Sequence, residues 1–600
     1  MPEQSSLPEF DPVLLAVMAN RLDAIVREMT STVLLTASSS VIGMARDFSC
    51  TILSAEDEIL SAADGVPVHV FGGNLQSARL KQVHPDMKEG DAFLNNDPYS
   101  GNSHAADHTF LVPVFHEGRH VFTAAVKCHQ ADCGNSLPTT YHASARDIYA
   151  EGALIFPMVQ IQKGYKTNDD IVRMCLSRIR TPEQWHGDFI SAISAARAGE
   201  RALKQLIAKF GLDTVMAFKD AWMDYSERRA DAALKALPQR TITRTGQLDA
   251  MGDFQNEQLD IKVAIKVDPD AGAITIDLRD NPDCLDNGLN LTEATASAAA
   301  ICGVVNCLED DLPLNSGTFR RIRVLLREGS CAGIPVFPHS CSVATTVITD
   351  IIINLVQEGL SELGEDFGLA EGNISHPISE SVIAGHDARR NGADYVNQVC
   401  LIGGGGPASG VEDGLHNYIC PAGAGICYRD SVEVAEQRFP MMIHQIALVT
   451  ASGGAGRRRG GPATRVEFGP RNGTMSVMSV SSGMITAPRG ARGGHGTQVA
   501  TNILLRDGVE VETHGGYVEV RLRPGETVLG TDSGGGGFGD PMTREPERVL
   551  YDVLERYETA ARARDIYGVA LLLDEDGTPL GIDETATRAL RNRAAALETA

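Results

Sequence analysis

The chain has 600 residues, with 53 Lys+Arg against 78 Asp+Glu and a formal net charge of -25. That balance argues against a phosphate-backbone partner, because nucleic-acid affinity is supplied by clustered cations. The 12 cysteines include no Cys-x-x-Cys pair and no metal-finger spacing, so they read as small buried hydrophobes of a reducing compartment.

The stretch Met1 to Phe10 lacks the cationic start and apolar run of an export signal. No segment approaches about eighteen uninterrupted apolar residues, so a cytoplasmic location without a membrane span is expected. Asp11-Pro12 predicts a helix start, an N-cap followed by proline in the first turn, and Leu15, Met18, Leu22, Ile25, Val26, Met29 and Val33 recur behind it at helical spacing. From about Asp47 to Val126, short apolar runs broken by turn residues predict strands at Cys50 to Leu53, Val66 to Phe71, Phe110 to Phe115 and Val121 to Val126.

From about Pro182 to Leu237 the spacing is helical again, and Pro238 closes the block. Thr241 to Leu278 then alternate as strands, with Pro269 to Gly272 as the hairpin turn. Thr292 to Leu308 and Val343 to Leu360 read as buried helices. Beyond about Gly403, clusters such as Gly403 to Gly406, Gly460-Gly461 and Gly534 to Gly537 punctuate strands such as Tyr517 to Leu522, and a last helix is expected over about Glu545 to Ala563. The fold class is α+β: a mixed multi-layer fold with a helical N-terminal half and a glycine-rich, turn-dense β region in the C-terminal half. The expected regions are 1–240 (α/β), 241–400 (mixed β and helix) and 401–600 (glycine-rich β with a C-terminal helix).

His104 and Asp107 stand three apart, and His129 follows the run Val121 to Val126. Antiparallel pairing of that run with Phe110 to Phe115 would bring His129 beside the first two. Two imidazoles and a carboxylate hold a first-row divalent metal on one face and leave other positions open, which makes catalysis the leading reading. Against it, His-x-x-Asp occurs by chance and each histidine also reads as a hydrogen-bonded loop residue. His108 and Asp132 are candidate substitutes or orienting groups for the ligands. Glu151 is a candidate general base or substrate contact, with a solvated loop acid as the bland alternative, and Asp97 before Pro98 reads as a turn former.

Other signatures fall away. His116-Glu117-Gly118-Arg119-His120 spells a zinc-protease motif, but it joins two strand-like runs through a glycine and reads as a hairpin turn. No Gly-x-Ser-x-Gly elbow is present, and Cys128 and Cys133 read as packed cysteines rather than nucleophiles. No Gly-Lys pair exists, which excludes a standard P-loop, and Gly534-x-Gly536-x-x-Gly539 runs into Asp540-Pro541 where a phosphate-binding helix should begin. Arg457-Arg458-Arg459 reads as a solvated loop.

Several ordered stretches carry a resemblance: Arg46 to Cys50, Gly65 to His69, Asn96 to Tyr99 running into His104 and Asp107, His129 with Asp132, Glu151-Gly152, Gly187-Asp188, Asn315 to Gly317, Arg459 to Gly461, and Gly534 to Pro541. In these the chain resembles the hydantoinase B/oxoprolinase family over nearly its whole length. The resemblance implies metal ligands at His104, Asp107 and His129, with manganese, zinc or iron as the ion. It also implies a hydantoinase A type ATP-binding partner that carries ATP and magnesium in a hetero-oligomer, and hydrolysis of cyclic amides such as hydantoins, 5-oxoproline or lactams. On this reading the partner phosphorylates a carbonyl oxygen, while the metal polarises the substrate and orients water. A ketone carboxylase subunit and a non-catalytic scaffold are the alternatives. Cys133-Gly134-Asn135 departs from the family pattern of an apolar residue and a glycine pair, which bears on the substrate.

Overall fold

A computed structural model describes residues 10–62, 65–308, 311–374, 378–422 and 427–598. Strands β1 (Phe48–Ser54), β2 (Ile59–Ala62), β3 (Ala92–Asn95), β4 (Asp107–His116), β5 (Arg119–His129), β6 (Val159–Lys163) and β7 (Lys166–Thr167) form one sheet in the order β2-β1-β5-β4-β3-β6-β7. Every neighbouring pair is antiparallel. Its spine is the β4–β5 hairpin, closed by a two-residue turn in which Glu117 (φ 50°) and Gly118 (φ 79°) are both left-handed. Such a turn matches the twist of paired strands, so the protease-like spelling at His116 to His120 is a hairpin, as its glycine predicts.

The central strands are buried on both faces, which is why their sequence runs apolar without alternation. One face packs Phe110, Val112, Phe122, Ala124 and Val126 against helices α1 (Pro12–Thr36) and α2 (Pro182–Phe210). Asp11 caps α1 by accepting from Leu14 N (2.7 Å), and the predicted stripe Met18, Leu22, Ile25, Val26, Met29 and Val33 is buried. Each such aliphatic side chain contributes about 1.5–3 kcal/mol on burial. The other face buries Leu53, Phe93 and Leu111.

The run Val66 to Phe71 departs from expectation. Pro67–Val70 is a short helix, not a strand, and packs against the helix Glu293–Val305. A short apolar run carries no period that separates the two states, and Pro67 supplies a ready-made first helical turn. Downstream, Arg240–Leu248, Leu259–Asp268, Ala273–Asp277 and Ile322–Leu325 form a four-stranded sheet that shares a core with the helices Glu293–Val305 and Ile348–Leu360.

The C-terminal part holds a four-stranded and a five-stranded sheet, and between its strands the glycine segments pack main chain on main chain. Gly461 N donates to Gly406 O, Gly535 N to Gly461 O and Gly454 N to Gly535 O, each at 2.9 Å. A Cβ on Gly535 would stand 1.8 Å from Gly406 O, and one on Gly460 would stand 1.8 Å from Gly535 O. Close approach, not an unusual φ, therefore demands glycine here. Two expectations are corrected. Arg459 is not solvated: it is buried, bonded to Asp552 (2.9 Å) and stacked on Tyr557. The predicted last helix is two, Pro546–Leu554 and Ala560–Asp565, and Glu584–Glu598 follows them. Among the described residues no helix is long and apolar enough to cross a membrane. The architecture is α+β.

Candidate metal centre

The β4–β5 register sets Asp107 directly opposite His129 at the far end of the hairpin from its turn. His104 comes from the loop before β4, which Asn102 ties down by donating to His104 O (2.6 Å) and Asp107 O (2.8 Å). All three side chains are buried. His104 Nε2 and His129 Nδ1 each lie 3.0 Å from Asp107 Oδ1, and the two nitrogens are 3.2 Å apart.

Bonds of about 2.1 Å to a divalent ion place neighbouring donors roughly 3.0 Å apart in an octahedron and about 3.4 Å apart in a tetrahedron. The donor set fits such an ion, and the tautomers sharpen the fit. His104 Nδ1 is 2.8 Å from Ser342 O, a carbonyl that can only accept, so Nδ1 carries the proton. With Nδ1 protonated, Nε2 faces the Asp107 carboxylate either as an N–H donor or, in the neutral ring, as a lone pair that a cation between the two would take up in place of the proton.

The second oxygen of Asp107 is otherwise engaged. Asp107 Oδ2 accepts from Ser103 Oγ and lies 3.0 Å from His69 Nε2, while Lys127 Nζ reaches Ser103 Oγ at 3.3 Å. Because a carboxylate oxygen only accepts, His69 donates from Nε2 to Asp107, and its Nδ1 is buried without a hydrogen-bond partner. Thr140 Oγ1 is 3.2 Å from His129 Nε2, and the Tyr141 ring stacks on His129 at 5.6 Å. Asp47 completes the rim, with its carboxylate 3.6 Å from His69 Nε2 and 3.9 Å from His129 Nδ1.

Charges follow from this packing. Burial would raise the Asp107 pKa, but the charges of His104 and His69 and the histidine hydrogen bonds hold it well below the carboxylate range. Burial opposes a charge on His104, yet Asp107 outweighs it and the pKa is raised. Burial brings Lys127 down to about 8. It also pushes the thiols of Cys128 and Cys133 well up, which leaves them poor nucleophiles.

The other expected residues lie around this centre. Glu151 is buried, accepts from Ser340 Oγ (2.6 Å) and has its pKa raised by burial. Through Ser340 it steadies the loop whose Ser342 carbonyl orients His104. Asp132 is not directed at the triad: Arg180 Nη1 (2.9 Å), Arg180 N (2.6 Å) and Gly134 N (3.2 Å) take up its oxygens. His108, one residue along β4, faces the opposite side of the sheet, where Trp185 Nε1 donates to it and burial lowers its pKa to about 3. Asp97 is a turn former, accepting from Tyr99 N (3.1 Å). Asp47 and His69 were not assigned as site residues from sequence, although both lie inside the motif stretches Arg46 to Cys50 and Gly65 to His69.

A cleft opens beside the triad, lined by Asp47, His69, His129 and Tyr141 and by side chains from distant segments such as Thr346, Glu380 and Gln398. Val347, at the base of the helix Ile348–Leu360, holds φ 59°, a costly conformation for a β-branched residue and one that sets the path of the Thr345-Thr346 wall. A separate cavity among Val305, Leu312, Leu369 and Leu415 contains no member of the triad.

Comparison with known proteins places the chain. It is 30% identical over 609 residues to the caprolactamase subunit beta of Pseudomonas jessenii, covering 97% of this chain and 99% of that one. The crystal structure of ATP-dependent caprolactamase from the same organism superposes with a TM-score of 0.85 at 28% identity, over 97% of this chain and 99% of that one. A nucleotide-free acetone carboxylase structure shares the fold, with a TM-score of 0.86 at 18% identity, over 98% of this chain and 83% of that one. The model of the hydantoinase B/oxoprolinase family matches residues 11–541, and the chain belongs to that family.

Proposed function

We propose that this chain is the metal-bearing subunit of an ATP-dependent hydrolase of cyclic amides, working in a hetero-oligomer with a separate ATP-binding subunit of hydantoinase A type. One observation carries the reading: two imidazole nitrogens and one carboxylate oxygen converge at separations of 3.0 to 3.2 Å, with the His104 tautomer set by Ser342. The likeness to a caprolactamase subunit supports cyclic amides as the substrate class. When bound, a manganese, zinc or iron ion supplies Lewis-acid polarisation of the amide carbonyl. His104, Asp107 and His129 hold it, and His69 and Ser103 keep Asp107 turned so that Oδ1 is presented.

Glu151 is the candidate acid or base, since burial moves its proton exchange towards neutral pH. Asp132, locked to Arg180, fixes the chain that follows His129. ATP and its magnesium are assigned to the partner, in keeping with the absence of any Gly-Lys pair from the sequence.

The test is reconstitution of the assembly from both subunits, with metal content and ATP-dependent ring opening of hydantoins, 5-oxoproline and lactams measured with and without bicarbonate. Ring opening that needs both subunits, ATP and the metal is the expected result. Turnover of a ketone that requires bicarbonate would move the chain to a carboxylase. Unimpaired turnover by a metal-free assembly would leave it the role of a scaffold.

A further inference from the structure

The separate cavity bounded by Val305, Leu312, Leu369 and Leu415 has a volume of about 390 Å³. Small-molecule sites occupy about 300–1,000 Å³, with mostly apolar walls and a few placed polar groups. Leu314 and Leu415 belong to the lining and are exposed, so the cavity opens to solvent. Tyr418 lines it, while the next two residues, Ile419 and Cys420, line the metal cleft. The two hollows are therefore neighbours divided by one stretch of chain.

One polar group of the lining stands out. Asp413 is bound by Arg544 at 2.7 and 2.8 Å, Ser409 Oγ accepts from Glu412 N (2.9 Å), and Glu412 and Asn306 are exposed. Gln357, in the last turn of the helix Ile348–Leu360, is 1% exposed, and its Oε1 has no hydrogen-bond partner. A buried carboxamide oxygen left unpaired is costly, and a ligand that brings a donor to it recovers that cost. A side-chain carboxamide presents C=O and N–H on one edge. The amide of a lactam ring is held cis and likewise presents N–H and C=O on one edge, so the two groups can pair through two hydrogen bonds. An open-chain secondary amide is trans and turns its N–H and C=O to opposite sides. The ring methylenes meanwhile gain from contact with Leu312, Leu369 and Pro407.

We propose that this cavity is a second ligand site, apart from the metal, for an uncharged ring that carries a secondary amide. The proposal is independent of the reaction at the metal centre. The full chain assembled with its ATP-binding subunit is titrated without ATP by calorimetry, with caprolactam and with N-methylcaprolactam, which has no N–H. Crystals of the same assembly soaked in caprolactam locate the ring. Caprolactam is expected beside Gln357, bound at least about tenfold more tightly than its N-methyl derivative, which makes one hydrogen bond fewer. Gln357→Met keeps the shape of the side chain and removes its hydrogen bonds. It is expected to weaken caprolactam binding about tenfold and to erase the preference over the N-methyl ring. Leu415→Trp, at an exposed position, narrows the mouth and is also expected to weaken binding, while both variants keep the metal content of the wild type. Wild-type caprolactam affinity in either variant, or caprolactam density in the metal cleft alone, would overturn the proposal and leave the hydrolase reading standing. An assembly that holds caprolactam beside Gln357 but opens no ring when ATP and metal are supplied would overturn the hydrolase reading and leave this site in place.

Discussion

Asp107 stands across the β4–β5 pair from His129, and one of its oxygens lies 3.0 Å from His129 Nδ1 while the other is 3.0 Å from His69 Nε2. This single carboxylate divides its two oxygens between the corner where the donors converge and a hydrogen-bond network within the protein. Substituting His104, Asp107 or His129 by Ala is therefore expected to abolish stoichiometric metal and to lower kcat at least about 100-fold. His69→Ala and Ser103→Ala touch only the far oxygen and are expected to weaken metal binding about 10- to 100-fold. Elemental analysis and chelator titration of the purified assembly separate these classes, and equal metal content in all five variants would refute the ligand assignment.

Glu151 accepts from Ser340 and so supports the loop that orients His104. If it works by position alone, Glu151→Gln preserves the accepting oxygen and keeps activity within a few fold, while Glu151→Ala loses it. If it exchanges protons, Gln is as inactive as Ala. The pH profile of kcat for the two variants decides between these outcomes, and loss in both with metal content intact is the result expected of a general acid or base.

Asp430 is buried and accepts from Cys400 N (3.0 Å), and burial raises its pKa to about 6. Between the unfolded carboxylate range and pH 6 the folded chain holds the extra proton, so stability falls as pH rises across that window and stays lowered above it. Asp430→Asn removes the penalty. Its melting temperature relative to wild type is expected to be higher at pH 8 than at pH 4.5, with a difference of up to about 3 kcal/mol. A gap that does not move with pH would show that the carboxyl does not titrate there.

Arg544 is almost fully buried and bonds Asp413 at 2.7 and 2.8 Å and Asp552 at 2.9 Å. Arg544→Met leaves Asp552 with Arg459 and Asp413 with Arg548 at 3.7 Å, and is expected to cost about 3–5 kcal/mol by chemical denaturation. Arg544→Lys recovers less than half, because one ammonium cannot reproduce a fork that serves two acids. Full recovery with Lys would show that charge alone matters.

Gly535 and Gly515 give a matched test of the glycine packing. A methyl on Gly535 would meet Gly406 O at 1.8 Å, whereas one on Gly515 meets nothing within 4 Å. Gly535→Ala is expected to prevent recovery of folded protein, and Gly515→Ala to shift the melting temperature by no more than a degree or two, since surface changes lie within about 0.5 kcal/mol. Comparable soluble yields for both would refute the packing described.

Much of this molecule is written in local pattern. The Asp11-Pro12 cap, the α1 stripe, the β4–β5 hairpin and the convergence of His104, Asp107 and His129 follow from spacing within about 30 residues and one antiparallel pairing. Asp47 and His69 escaped assignment because their places depend on β1 joining β5, where Phe48 pairs with Cys128, and on a helix at Pro67–Val70 that a short apolar run does not announce. The burial of Arg459 is hidden from local pattern for the same reason. Its acid partner Asp552 lies 93 positions away, and a charge run shows its neighbours in sequence but not its neighbours in space. Likewise Glu380, Gln398 and Thr346 reach the cleft from segments that no local period connects to it.

The interlocked glycine segments bury amide dipoles in place of hydrocarbon. Exposing peptide groups on unfolding lowers heat capacity, where exposing apolar side chains raises it. That layer therefore contributes a flatter temperature dependence than the isoleucine- and valine-rich core at its side. On cooling, it is the part of the protein whose cohesion weakens least.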